Sequence, residues 1–230
     1  MGVEIRVEAV EHEYGRTEDS AAVRALRGVN LTIQPGSFTI LMGPSGSGKS
    51  TLLNLIGAVE RPTSGRVHLG ETEISALSER DLTRIRRERI GFVFQFFNLI
   101  PTFTVRENVA FPLHLIGRPR KEIAERVAAT LADVGLEGRA SHYPNELSGG
   151  EMQRVAIGRG IIHRPELLIA DEPTGNLDTR TGETVLDAIS AIHRSHRPTI
   201  VMATHSDRAA ARGDRVIDVL DGEVLPGRAR

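Results

Sequence analysis

Hydrophobic and polar positions alternate in residues 3–10 (Val-Glu-Ile-Arg-Val-Glu-Ala-Val), the period of a half-buried strand, and residues 29–33 read as a second early strand. A polar loop, 15–22, separates them. The runs that follow are different. Residues 37–42, 90–94, 167–170 and 198–203 are almost continuously apolar and rich in β-branched residues, as expected of strands buried on both faces. Helical spacing appears between them. Leucines recur in 51–56, Leu82 and Ile85 follow a Ser78–Asp81 capping pattern, and Val185, Ile189 and Ile192 mark one face of a later helix. Residues 104–163 contain three helical patterns and no strand pattern, with Ile123, Val127, Leu131 and Val134 on one stripe and Gly135 as its stop. This predicts an α/β core interrupted by a helical insertion. A closing hairpin is expected around Asp221-Gly222.

Composition narrows the picture. With 230 residues and 40% hydrophobic content the chain can bury one large core. A net charge of −1 with interleaved signs gives no field that would draw it to nucleic acid or anionic lipid. There is no cysteine, so disulfides and thiolate metal sites are excluded. The longest apolar runs, 52–59 and 90–100, fall short of the roughly 20 residues that span a bilayer. No secretory signal precedes the first strand, so the chain is expected to stay where it is made.

The strand ends carry the chemistry. Between the strand at 37–42 and the helix after it lies Gly43-Pro44-Ser45-Gly46-Ser47-Gly48-Lys49-Ser50-Thr51, a G-x-x-x-x-G-K-[ST] phosphate-binding loop in the context that motif requires. Its glycines allow successive N–H groups to face one concavity at a helix N-terminus, which favours an anion. Lys49 is expected at the β- and γ-phosphates, Ser50 on Mg²⁺ and Thr51 at the α-phosphate. The run Leu167-Leu168-Ile169-Ala170 delivers Asp171 and Glu172, an arrangement in which one carboxylate serves the Mg²⁺ and the other an attacking water. Gln95 and His205 also stand at strand ends, where α/β sheets bind ligands, although each alone is equally readable as a loop residue. Tyr14 could stack on a base or lie on a hairpin surface. Ser148, before Gly149, Gly150 and Glu151, opens a helix and offers either a second anion site or a plain N-cap.

In this order and spacing, the phosphate loop, Gln95, Leu147-Ser148-Gly149-Gly150-Glu151, the strand to Asp171-Glu172, the turn at Asp178 and His205 resemble the ATPase subunit of ABC transporters, over residues 3–225. The resemblance implies a single P-loop domain over 1–230. Its RecA-like core, residues 1–95 and 164–230, would carry an N-terminal antiparallel β subdomain, and 96–163 would form the helical subdomain. It implies adenine stacking by Tyr14, sensing of Mg²⁺ and water by Gln95, a switch histidine at His205, Asp171 as Mg²⁺ ligand and Glu172 as general base. It further implies ATP-driven homodimerisation in which Ser148 to Glu151 meet the opposite nucleotide and Asp178 communicates across the interface. A separate membrane permease would be the partner, at the cytoplasmic face of the inner membrane, with no nucleic acid involved. Residues 85–109 resemble the lipoprotein-releasing, macrolide-exporting and cell-division-associated branch. Departures are Gly158 and Gly160, where alanine is common, and Phe96, where glutamine is common. Soluble ABC proteins of translation or DNA repair are the alternative. They carry two cassettes or a long coiled-coil insertion, and this chain has neither. The apolar stretch 96–105 is the expected docking surface for the membrane partner.

Overall fold

The computed structural model describes residues 2–15, 22–225 and 228–229; most of the polar loop expected at 15–22 lies outside these. In chain order the elements are β1 (Ile5–Tyr14), β2 (Val23–Ile33), β3 (Phe38–Met42), α1 (Lys49–Ile56), β4 (Ser64–Leu69), β5 (Thr72–Glu73), α2 (Glu79–Arg89) and β6 (Ile90–Val93). There follow α3 (Val105–Leu115), α4 (Arg120–Asp133), α5 (Gly149–Ile161), β7 (Leu167–Asp171), α6 (Thr179–His196), β8 (Thr199–Thr204), α7 (Asp207–Ala210), β9 (Arg215–Leu220), β10 (Glu223–Val224) and β11 (Arg228–Ala229).

Two sheets form. An antiparallel one runs β2-β1-β4-β5, and a mixed one runs β10-β9-β3-β8-β7-β6, with β11 also on β9. Strands β6, β7, β8, β3 and β9 are parallel. Their side chains divide by parity. Ile40, Leu168, Met202 and Val216 face a core built with α3 to α6, whereas Leu41, Ile169, Val201 and Ile217 face a second core shared with α1, α2 and the antiparallel sheet. Both faces are covered, which is why these strands read as unbroken apolar runs.

The early strands are longer than expected. β1 continues to Tyr14 and β2 begins at Val23, because register shifts after Val7 and Val10, with Ala9 at φ +47°, break the period-two pattern without ending the pairing.

Helix α5 lies unusually close to β6. A Cβ built on Gly91 would stand 2.0 Å from the carbonyl oxygen of Gly160, and one on Gly160 would stand 3.1 Å from that of Phe92. The two glycines are where strand and helix backbones meet: Gly91 leaves no room for a Cβ, and one at Gly160 would be tight. Gly91→Ala should therefore destabilise the fold by about 2–3 kcal/mol. In a chain of this size that lowers the melting temperature by roughly 5–10 °C, readable by calorimetry. An unchanged melting temperature would contradict so close an approach.

Candidate nucleotide site

Parallel register brings the functional segments to one sheet edge: Met42 pairs with Thr204, and Asp171 with Ala203. The residues immediately after these strands therefore converge.

After β3 the chain turns through the phosphate loop into α1. Its N-cap is Gly48, at φ +102°, with no side-chain cap. A Cβ there would stand 2.6 Å from the Ala25 carbonyl oxygen. The first N–H groups of α1 have no side-chain acceptor at the cap, which suits an anion. Lys49 is only 6% exposed, and its ammonium donates to the carbonyl oxygens of Gly43 (2.8 Å) and Pro44 (2.9 Å).

Asp171 ends β7 beside Ser50. Burial raises its pKa, opposed by a hydrogen bond with Ser50, and the charge of Glu172 raises it further. Its Oδ1 is buried without a partner. Glu172 sits at φ +47° with its N–H on Ala203 O (3.0 Å), and its carboxylate lies 2.9–3.0 Å from Nδ1 of His205. Strain at a non-glycine residue here fixes where the carboxylate points. Tyr14, Ser45, Gly46, Lys49, Ser50, Gln95, Glu172 and His205 line one cavity of about 480 Å³.

Gln95 reaches that cavity, yet its amide is paired elsewhere. Its Nε2 donates to Asn176 Oδ1 and Asn176 Nδ2 donates to its backbone oxygen, each at 3.2 Å. The carbonyls around Gln95 are held by α5: Gln153 Nε2 donates to Phe94 O (3.1 Å), and Arg159 donates to Phe97 O (2.9 Å) and Asn98 O (2.6 Å). Phe97 and Asn98 both have positive φ. Sequence reasoning missed Asn176, Gln153 and Arg159, since each acts through a contact some sixty to eighty positions distant and none stands in a spacing pattern.

Ser148 caps α5. Its hydroxyl donates to Glu151 Oε2 (2.7 Å) and accepts from Glu151 N (3.3 Å), while its own N–H donates to the same carboxylate (2.9 Å). These bonds, the one from the Ser148 backbone foremost, pull the Glu151 pKa down to about 2, with Arg139 assisting. Gly149 stands over Leu177. None of Ser148 to Glu151 lines the phosphate-loop cavity. Asp178 caps α6, accepting from Thr181 N at 3.1 Å; the Thr181 side chain and then this backbone bond lower its pKa.

The family pattern of ABC transporters matches residues 26–175. That is more than half of the chain. The chain belongs to the ABC transporter family. It is 42% identical to the lipoprotein-releasing system ATP-binding protein LolD of Geobacter metallireducens, over 95% of this chain and 97% of that protein. It is 46% identical to the macrolide export ATP-binding/permease protein MacB of Rhodopirellula baltica, over 86% of this chain and 29% of that longer protein. The dimeric structure of the ABC transporter cassette MJ0796 superimposes with a TM-score of 0.89 at 41% identity, covering 98% of both chains, and the same cassette is known in a post-hydrolysis state bound to ADP and Pi. The cassette described here is thus an ATP-binding, ATP-hydrolysing subunit of the transporter class, in the LolD and MacB branch its sequence resembles. Among the described residues no helix is long and apolar enough to cross a membrane.

The apolar stretch at 96–105 is partly packed away and partly exposed. Of its large apolar side chains only Phe96 is well exposed, at 70%; Phe97, Leu99, Ile100 and Phe103 are half-buried, Phe103 edge-on to Phe111 at 5.9 Å. The larger apolar recess is a groove of about 470 Å³ beside it, lined by Ile90, Phe92, Phe94, Ile100, Phe111 and Leu115, with Arg86, Arg87 and Arg159 among its polar residues.

Proposed function

We propose that two copies of this chain close head to tail on two ATP molecules, and that the cycle of closure and hydrolysis drives a separate membrane subunit. One observation carries this reading. The phosphate loop, Glu172 and His205 share a cavity that Ser148 to Glu151 do not line, so a second copy would bring its own signature segment to the nucleotide held there. The MJ0796 cassette, solved as a dimer, supports a working unit of two copies.

Within each site the roles divide by chemistry. The loop N–H groups and Lys49 hold the phosphates, Tyr14 stacks on the base, and Glu172 takes a proton from the attacking water with His205 holding its carboxylate. Ser50 and Asp171 are hard oxygen donors side by side, and the unpartnered buried Oδ1 of Asp171 fits a Mg²⁺ ligand. When bound, the ion neutralises charge on the phosphates. Gln95, released from Asn176, joins that site, and Asp178 links the two copies. Residues 96–163 act as a helical subdomain on the core. Its groove against α2 and β6 receives an apolar segment of the membrane subunit, which places the assembly at the inner face of the cell membrane. Kinship with LolD and MacB supports lipoprotein release, export or force transmission as the work done.

Complementation tests the sandwich. Ser148→Arg blocks closure on the opposite nucleotide and Lys49→Ala disables its own phosphate loop, so each variant alone should be inactive. Mixed in equal amounts they should recover about a quarter of the wild-type ATPase rate, because half of the dimers are mixed and each holds one intact composite site. A mixture as inactive as its components would mean that hydrolysis does not use the signature segment of a second copy.

A further inference from the structure

A side-chain cluster joins the end of β1 to α1 and the turn after it. Its hub is Glu60. One oxygen of Glu60 accepts from the Tyr14 hydroxyl at 2.6 Å and lies 3.2 Å from Nε2 of His12, and the other accepts from Asn54 Nδ2 at 2.9 Å. The Tyr14 hydroxyl also reaches Thr51 Oγ1, at 3.4 Å. His12, 8% exposed, meets the tyrosine ring edge-on with centroids 4.6 Å apart and planes at 80°. The ring itself is 40% exposed and lines the nucleotide cavity.

A half-exposed tyrosine at a strand end would ordinarily sample several rotamers. Here its hydroxyl is anchored by a short, charge-assisted bond, and its side is packed by a buried histidine. Burial, and after it the Glu60 bond, raises the phenol pKa, so the hydroxyl stays a donor to that carboxylate. Asn54 and Thr51 lie on α1, the helix that opens with Lys49. The ring is therefore held in fixed relation to the phosphate loop.

We propose that Glu60 is a positioning residue for the nucleotide base, fixing the Tyr14 ring at the cavity mouth so that ATP gains affinity through its base independently of its phosphates. The proposal rests on the reading of Tyr14 as a stacking platform. The competing role is a plain brace between the turn and α1, which would act on phosphate binding as much as on base binding.

Equilibrium binding of ATP and of inorganic tripolyphosphate, which has no base, separates the two. Tyr14→Ala should weaken ATP by about 5- to 100-fold, the range for loss of a stacked base. Glu60→Ala and Tyr14→Phe should each weaken it by about 3- to 10-fold, a part of that stacking loss. Glu60→Gln, which keeps an acceptor oxygen, should recover most of the loss. Tripolyphosphate affinity should stay within about twofold throughout, because a lost stack does not touch the phosphates. In the Tyr14→Ala background Glu60→Ala should have no further effect. Equal losses for both ligands, or additive losses in the double variant, would overturn the role of Glu60 while leaving Tyr14 in place. A Tyr14→Ala protein that binds ATP like the parent would overturn the stacking platform and this inference with it. Tyr14→Phe removes the hydroxyl without disturbing Glu60, so a Glu60 variant that folds poorly does not leave the question open.

Discussion

Glu172→Gln should still bind ATP while hydrolysing it at least about 100-fold more slowly than the parent chain. The amide keeps an oxygen for the Nδ1–H of His205, so the side chain stays at the end of β7 where the positive φ of its backbone aims it. What it loses is the capacity to take a proton from water. Binding groups are untouched, so the nucleotide-bound closed state should accumulate. Gel filtration with ATP and Mg²⁺ should then shift from monomer towards dimer, and the steady-state phosphate assay should fall close to background. Parental turnover in this variant would remove Glu172 from the proton-transfer step. Slow turnover without any dimer would leave that step in place and deny the sandwich.

The second large effect concerns Lys49. Its buried ammonium is satisfied by the Gly43 and Pro44 carbonyls, which keeps a desolvated charge in place at the floor of the loop. Transfer of those donors to phosphate oxygens supplies charge-assisted bonds worth about 1.5–3 kcal/mol each. Lys49→Ala should therefore weaken ATP binding by at least about tenfold. Hydrolysis should be undetectable, since the same charge is missing where negative charge develops in the transition state. Calorimetric titration with ATP measures the first effect and phosphate release the second, with a melting curve to show that the loop's exchange of partners has not cost the fold. Normal turnover would refute the assignment of the loop.

Much of this was legible because it is local. The phosphate loop, the acidic end of β7 and the capped start of α5 are contiguous segments whose neighbours impose strand or helix, so spacing alone brings their chemistry into view. The parallel strands were legible for the complementary reason that covering both faces leaves Thr39 as the one polar residue between Phe38 and Met42 and none between Thr199 and Thr204. Legibility failed where pairing outlasts pattern. The bulges between Val7 and His12 let β1 continue to Tyr14 through residues whose polarity no longer alternates. It failed again where long-range contact reverses a local rule. Gly160 looks like a weak helix former until Gly91 is seen against it, and Phe97, Leu99 and Phe103 look like surplus apolar surface until α3 and α5 partly cover them. Glu60 and Asn176 carry no motif at all, because their partners are Tyr14 and Gln95, far away in the chain.

The hold that Gln153 and Arg159 keep on the carbonyls of Phe94, Phe97 and Asn98 has a thermodynamic corollary. Helix α5 and the backbone flanking Gln95 are tied into one lever, with Ser148 at one end and the apolar groove along its side. A ligand whose affinity depends on the setting of Gln95 would through these bonds also bias α5, and a second ligand on α5 would change the first one's affinity by the factor by which its own is changed. On the proposed function, a membrane subunit on the groove and an ATP molecule in the loop would each read the other's presence as a change in its own dissociation constant, without ever touching.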